Sequence, residues 1–205
     1  MPFALVVVGS AGSGKSTVAR ELARRCTAAY LDKDALAGPL VEAALAGGGH
    51  SPDGRENSAF YLEHVMPAEY AALFAVAADN LRLGLSVVLD APFAAYLDQP
   101  GFLEEAARTA DWPSVTTTVL RVVTSEAETR RRLESRGLDR DLVKLAEWDA
   151  FWTRWGRSPL AWTGADVLEL DNSATADLEP VVARLLAGPA GTPDPAALDS
   201  APLDV

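Results

Sequence analysis

A single cysteine, Cys26, stands among 205 residues, which excludes an intrachain disulfide and leaves too few thiols for a cysteine-built zinc site. A reducing cytoplasm is the compartment this composition fits. Basic side chains are scarce too: 18 Lys and Arg face 29 Asp and Glu, for a net charge of -11. A surface of that sign repels a phosphate backbone over most of its area, which argues against nucleic acid as a partner. Histidine is limited to His50 and His64, isolated in the sequence and without metal-ligand spacing. Long apolar runs are missing as well. Phe3 to Val8 lacks preceding basic residues and runs straight into glycines, so it is too short to span a bilayer and reads as a buried strand, not a signal. No membrane partner is expected.

What is present suits one globular domain: 49% hydrophobic residues in a chain of this length can bury one core. Apolar runs at Phe3 to Val8, Leu85 to Leu89, Val115 to Val123 and Val167 to Leu170 are mostly apolar at successive positions, as strands covered on both faces should be. Tyr30-Leu31 is a weaker fifth. Helical patterns lie between them over 15–26, 35–46, 67–83, 103–109, 126–136, 142–155 and 176–186. Strand alternating with helix predicts a parallel α/β sheet with helices on both faces. Gly47 to Gly54 reads as a mobile loop, and the Gly-, Ala-, Pro- and Asp-rich 188–205 as a disordered tail dispensable to a domain of residues 1–187.

Chemistry enters at Gly9-Ser10-Ala11-Gly12-Ser13-Gly14-Lys15-Ser16. This Gly-x-x-x-x-Gly-Lys-Ser pattern follows a predicted strand and opens a predicted helix, the context it requires. Its glycines let the chain curl so that backbone N–H groups face inward around an anion, and the helix adds its positive end. Lys15 then reaches the outer phosphates of a nucleoside triphosphate, the Ser16 hydroxyl can ligate Mg²⁺, and Thr17 belongs to the same binding segment.

Asp32-Lys33-Asp34 ends the second predicted strand, at the carboxyl edge of the sheet beside that loop. Phosphoryl transfer needs a group that orients the attacking hydroxyl and accepts its proton, and Asp34 is the candidate. Asp34 also suits the N-cap of a helix beginning at Ala35, a role compatible with the first. Lys33 is expected to turn aside. Asp90 closes the strand Ser86 to Leu89, where an acid can hold magnesium-bound water; a turn into Ala91-Pro92 is the alternative. Arg130, Arg131, Arg132 and Arg136 crowd the helix over 126–136, with Arg132 and Arg136 on one face; Gly137 interrupts it and Arg140 follows.

In these segments the sequence resembles the small P-loop kinases: gluconate and shikimate kinases, chloramphenicol phosphotransferase and the AAA-type ATP-binding proteins of kinase shape. The resemblance runs from Phe3 to about Leu186. It implies a P-loop NTPase three-layer sandwich, a five-stranded parallel sheet of order 2-3-1-4-5, with ATP at the carboxyl ends of the strands and a lid at about 136–141. It also places Asp32 nearer Mg²⁺ and Asp34 at the substrate, with Arg136 and Arg140 closing over the triphosphate and Arg132 assisting. It sets Asn172, in Asp171-Asn172-Ser173, near the adenine, although a turn explains that tripeptide equally well. Pro92-Phe93 would wall the acceptor pocket. Trp148, Trp152 and Trp155, spaced i, i+4 and i+7, form a helical stripe that is either core or a platform for a flat acceptor.

The function expected is transfer of the γ-phosphate of ATP, with Mg²⁺, to a hydroxyl of a small molecule such as a sugar, nucleoside or hydroxylated antibiotic, by a monomer or homodimer. The alternative is a nucleotide-binding switch or toxin-like module acting through a protein partner. The net charge disfavours a third, a kinase of nucleic-acid 5′ ends.

Overall fold

The computed structural model describes residues 1–51, 58–156 and 159–187, without the side chains of Asp139 and Arg140. Valine and leucine at successive positions make β1 (Phe3–Val8) a strand buried on both faces. Ala4, Val6 and Val8 join one core cluster with Leu73, Phe74 and Leu89, while Phe3, Leu5 and Val7 join the opposite one with Leu22, Leu120 and Val181. Each fully buried leucine or phenylalanine here contributes about 1.5–3 kcal/mol by leaving water.

Around β1 lie β2 (Ala29–Asp32), β3 (Val87–Asp90), β4 (Thr116–Val123) and β5 (Asp166–Asp171). All four pairings are parallel, in the order β2-β3-β1-β4-β5. The α/β P-loop NTPase fold and the 2-3-1-4-5 order expected from the resemblance are those of the chain. The faint Tyr30-Leu31 signal belongs to the edge strand β2. At the other edge β5 is largely exposed and follows no continuous burial.

Helices α1 (Lys15–Cys26), α2 (Lys33–Gly47), α3 (Met66–Arg82), α4 (Phe102–Thr109) and α5 (Glu126–Arg136) match the periodic segments, with ends shifted by one or two residues. Asp32, not Asp34, caps α2: its Oδ1 accepts from the N–H groups of Asp34 and Ala35 at 2.9 and 3.2 Å. Lys33 is therefore the first residue of a helix and is buried, not turned aside. The segment expected as one helix over 142–155 is three pieces: α6 (Asp139–Ala146), α7 (Trp148–Phe151) and a π-helical turn, Trp152–Gly156. The backbone of Glu147, at φ -111 and ψ 45, leaves helical geometry between the first two. The chain closes on α8 (Glu179–Ala187).

Gly47 belongs to the last turn of α2, and His50 N–H closes that helix on the Leu45 carbonyl at 2.8 Å. His50 and His64 are not isolated: both flank Phe60, at 4.7 and 5.5 Å between ring centres. Residues 52–54 of the predicted loop and the predicted tail, 188–205, lie outside the described residues. No described helix is long and apolar enough to cross a membrane.

Candidate nucleotide and acceptor site

Two different constraints demand glycine in the loop between β1 and α1. Gly12 and Gly14 both have φ 83, in the left-handed region where a side chain is strained. Gly9 is limited by space, since a Cβ there would lie 2.6 Å from the Val122 carbonyl oxygen of β4.

The loop is gripped from its outer side. Three donors converge on the Ser13 carbonyl: Asn172 Nδ2 at 2.8 Å, Arg132 Nη1 at 3.1 Å and Thr124 Oγ1 at 3.1 Å. Arg132 also donates to the Asn172 carbonyl at 2.6 Å and to Glu128 Oε1 at 2.7 Å. Thr129 and Leu133 of α5 are fully buried against the loop, where a Cβ on Gly12 would meet them at 3.0 to 3.2 Å. Arg132 and Asn172 thus brace the phosphate loop from α5 and from the end of β5. On the inner side, α1 begins with no side-chain cap on its first N–H groups and no acid in its first turn. Its positive end is available to an anion.

Lys15 is partly buried. Burial among protein atoms pushes its ammonium pKa down, opposed by Asp90, Asp34 and Asp32, while Arg136 adds to the depression. Lys15 thus shares one field with carboxylates at the ends of β2 and β3 and the start of α2, and with an arginine from the end of α5.

Asp90 and Asp32 are register partners at the ends of β3 and β2. Asp90 is buried; its Oδ2 accepts from the Tyr30 hydroxyl at 2.7 Å, and its Oδ1 has no hydrogen-bond partner among the described residues. Burial first, then the Asp90 carboxylate, pushes the Tyr30 hydroxyl pKa far up, which keeps it a donor. The same hydroxyl lies 3.1 Å from Asp32 Oδ2, which also takes a long 3.4 Å contact from Arg20. Both oxygens of Asp32 are therefore engaged by protein, whereas one oxygen of Asp90 is not. Magnesium fits this donor set through the Ser16 hydroxyl and, by way of water, Asp90. No three Asp, Glu, His or Cys side chains converge as a metal site among the described residues, and a metal of this kind relies instead on one hydroxyl and on phosphate oxygens.

Asp34, about half exposed, has Oδ1 at 3.1 Å from the Lys33 ammonium. Arg136, at the end of α5, donates to both oxygens of Asp141 at 2.6 and 2.8 Å, and Asp141 is fully buried. Gly137 ends α5 in the left-handed region at φ 60, as the predicted interruption requires. The Arg140 side chain lies outside the described residues. Thr17, in the first turn of α1, is exposed.

Other expectations are corrected. Phe93 is no pocket wall: it is fully buried, packed against Tyr70, Phe74, Phe102 and Trp162, with its N–H held by the Tyr70 hydroxyl at 3.1 Å. Pro92 is exposed beside it. Of the two readings of the tryptophan stripe, core is the one found: Trp148 and Phe151 are buried with Leu133, and Trp152 and Trp155 pack around them with Ala11 of the loop. Trp148 Nε1 donates to Glu126 at 2.8 Å. Two partnerships had no sequence signal, Asp141 under Arg136 and Glu69 under Lys33.

Residues 5–157 match the family described as an AAA domain. No curated protein matches the sequence. Among solved structures, a "putative kinase" from Chloroflexus aurantiacus J-10-fl superposes with a TM-score of 0.65 at 22% identity, covering 92% of this chain and 98% of the other. A sugar kinase from Janibacter sp. HTCC2649, in its unliganded structure, superposes with a TM-score of 0.57 at 16% identity, over 92% and 94%. At these identities the likeness is one of fold.

Proposed function

This chain belongs to the AAA-domain family, and from that membership and its P-loop kinase fold we propose that it is an ATP-dependent phosphotransferase acting on a hydroxyl of a small molecule. The observation that carries the proposal is the meeting of three carboxylates beside the loop: Asp32 and Asp90 are register partners at the ends of β2 and β3, and Asp34 follows in the first turn of α2, with its N–H on Asp32. A nucleotide-binding module needs the lysine and the loop. A carboxylate beside the outer-phosphate position, half exposed as Asp34 is, adds what a transfer reaction needs.

In the proposed roles, the loop from Gly9 to Ser16, with Thr17, binds the triphosphate, and Lys15 takes its outer oxygens. Mg²⁺, when bound, neutralises charge on the transferred phosphoryl group. Ser16 would hold that ion, and Asp90, with its unpartnered oxygen, would hold its water more readily than Asp32, whose oxygens are engaged. Asp34 orients the acceptor hydroxyl and takes its proton. Arg136 stabilises charge at the phosphates, with Arg140 as its partner across Gly137. Arg132 and Asn172 keep the loop in shape and border the nucleotide. The concentration of carboxylates favours a neutral or cationic acceptor.

The test is ADP release with MgATP over a panel of sugars, nucleosides and hydroxylated antibiotics. Acceptor-stimulated turnover supports the assignment. Intact ATP binding with slow hydrolysis that no acceptor stimulates would favour a switch or toxin-like module instead.

A further inference from the structure

Beneath Asp34 lies a buried ionic network that the roles above do not use. Lys33, with 4% of its side chain exposed, places Nζ 3.1 Å from Asp34 Oδ1 and 3.0 Å from Glu69 Oε2. Glu69, on α3 and 2% exposed at its side chain, accepts the Tyr61 hydroxyl on the same oxygen at 2.8 Å, while its Oε1 is buried without a partner among the described residues. The Lys33 ammonium also lies 5.6 Å from the centre of the Tyr70 ring.

A buried lysine–glutamate pair gives little net stability, because desolvating both charges offsets most of their attraction. A hydrophobic pair would fill this space at least as well. Three further features tie the pair to the site. Lys33 spends a second contact on a carboxylate that is half in solvent. Tyr61 reaches Glu69 from the first position of a π-helical turn, Tyr61–Val65, a local departure from α-geometry that recurs near functional sites. Asp34 also follows Lys33 directly at the start of a helix whose register Asp32 fixes.

We propose that Lys33 is a positioning residue for Asp34: anchored by Glu69 and Tyr61, it fixes one oxygen of the Asp34 carboxylate and keeps that carboxylate aimed at the acceptor hydroxyl. This rests on the assignment of Asp34 as the proton acceptor. Among the described residues, Asp34 and Glu69 are the carboxylates in ion-pair contact with Lys33.

Removing the Lys33 ammonium removes the contact that fixes the Asp34 oxygen. Glu69→Gln keeps an oxygen for Lys33 and Tyr61, so most of the anchor persists.

The experiment compares wild type, Glu69→Gln, Tyr61→Phe, the double variant Lys33→Met/Glu69→Gln, which leaves no unpaired buried charge, Asp34→Asn, and the double change added to Asp34→Asn. Rates are taken at saturating MgATP with the acceptor giving the highest turnover in the panel. In the double variant kcat falls about a hundredfold, the usual cost of a misplaced reacting group, while KM and ATP affinity stay near wild type. Added to Asp34→Asn, the double change costs nothing further, because the group it positions is already gone. Glu69→Gln alone should lose far less than the double variant. Should the double variant not fold, Tyr61→Phe, which keeps every charge and removes one anchoring hydrogen bond, decides alone by a severalfold fall in kcat at unchanged KM.

Full kcat in a folded double variant while Asp34→Asn is inactive would overturn the proposal and leave the Asp34 assignment standing. So would a further fall when the double change is added to Asp34→Asn, or, where the double variant does not fold, unchanged kcat in Tyr61→Phe. Full kcat in Asp34→Asn, or no acceptor-dependent transfer in wild type, overturns the Asp34 assignment first and the role of Lys33 with it.

Discussion

The Asp141 carboxylate, buried completely, holds the Arg136 guanidinium through two hydrogen bonds of 2.6 and 2.8 Å. A bidentate pair of this kind fixes both the position and the plane of the guanidinium, which a single contact does not. Arg136 is in turn near enough to Lys15 to lower its pKa. In the proposed site, Asp141 is the support that holds this cation of α5 toward the phosphates.

Asp141→Ala is expected to leave Arg136 charged but loose. ATP affinity should change little, while phosphoryl transfer falls about tenfold to a hundredfold, within the range of a poorly placed group. Single-turnover rates at saturating MgATP and acceptor read this directly. Unchanged rates would show that Arg136 serves only to join α5 to α6.

Acid should remove the stability that the brace around this loop contributes. Hydrogen bonds from Arg131 and Arg132 hold the Glu128 carboxyl at about 2, below its ordinary 4.5. Asp141 is also held low: its burial acts to raise the pKa, but the bonds from Arg136 and the nearby Lys144 outweigh it. A carboxyl with a depressed folded pKa contributes stability that is fully present above the unfolded value and is lost as pH falls through the folded one. Thermal midpoints should therefore be level from neutrality down to about pH 5 and fall steeply below about 4.5. Glu128→Gln should flatten part of that fall, measured by thermal melts at each pH.

The loop offers two substitutions with different causes. Gly9→Ala puts a Cβ 2.6 Å from a backbone oxygen that cannot move without disturbing β4. Nucleotide affinity and thermal stability should fall together. Lys15→Ala changes charge but not shape, so stability holds or rises, because a buried ammonium is removed, while ATP turnover is abolished. Calorimetric binding and melting curves separate the two.

Sequence pattern revealed most of the sheet and the loop because both rest on local signals. Phe3 to Val8 is a strand by its continuous apolar run, and Glu126 to Arg136 is a helix stopped by Gly137, both visible in the letters. Asp32 and Asp90 could be placed at neighbouring strand ends for the same reason, with Asp34 just beyond the first. The missed features depend on distance along the chain. Lys33 and Glu69 are joined across 36 residues, and nothing in either segment announces a buried pair. Asp141 lies only five residues beyond Arg136, but across a helix break, so helical spacing does not bring them together. Phe93 follows the right strand to flank the acceptor, yet its φ of 53 and the Tyr70 hydroxyl turn it into an aromatic cluster that reaches as far as Trp162. Arg132 looked like a phosphate ligand by residue type, and its donors are spent on Glu128 and on the carbonyls of Ser13 and Asn172. That geometry emerges only when α5 is laid against the loop.

Asp34→Asn, assayed for MgATP affinity and for acceptor-dependent phosphoryl transfer in the same preparation, tests the assigned chemistry most directly. ATP affinity should stay near wild type while transfer falls by about two to four decades, the usual worth of a positioned base. Equal loss of binding and transfer, or no loss of either, would contradict it.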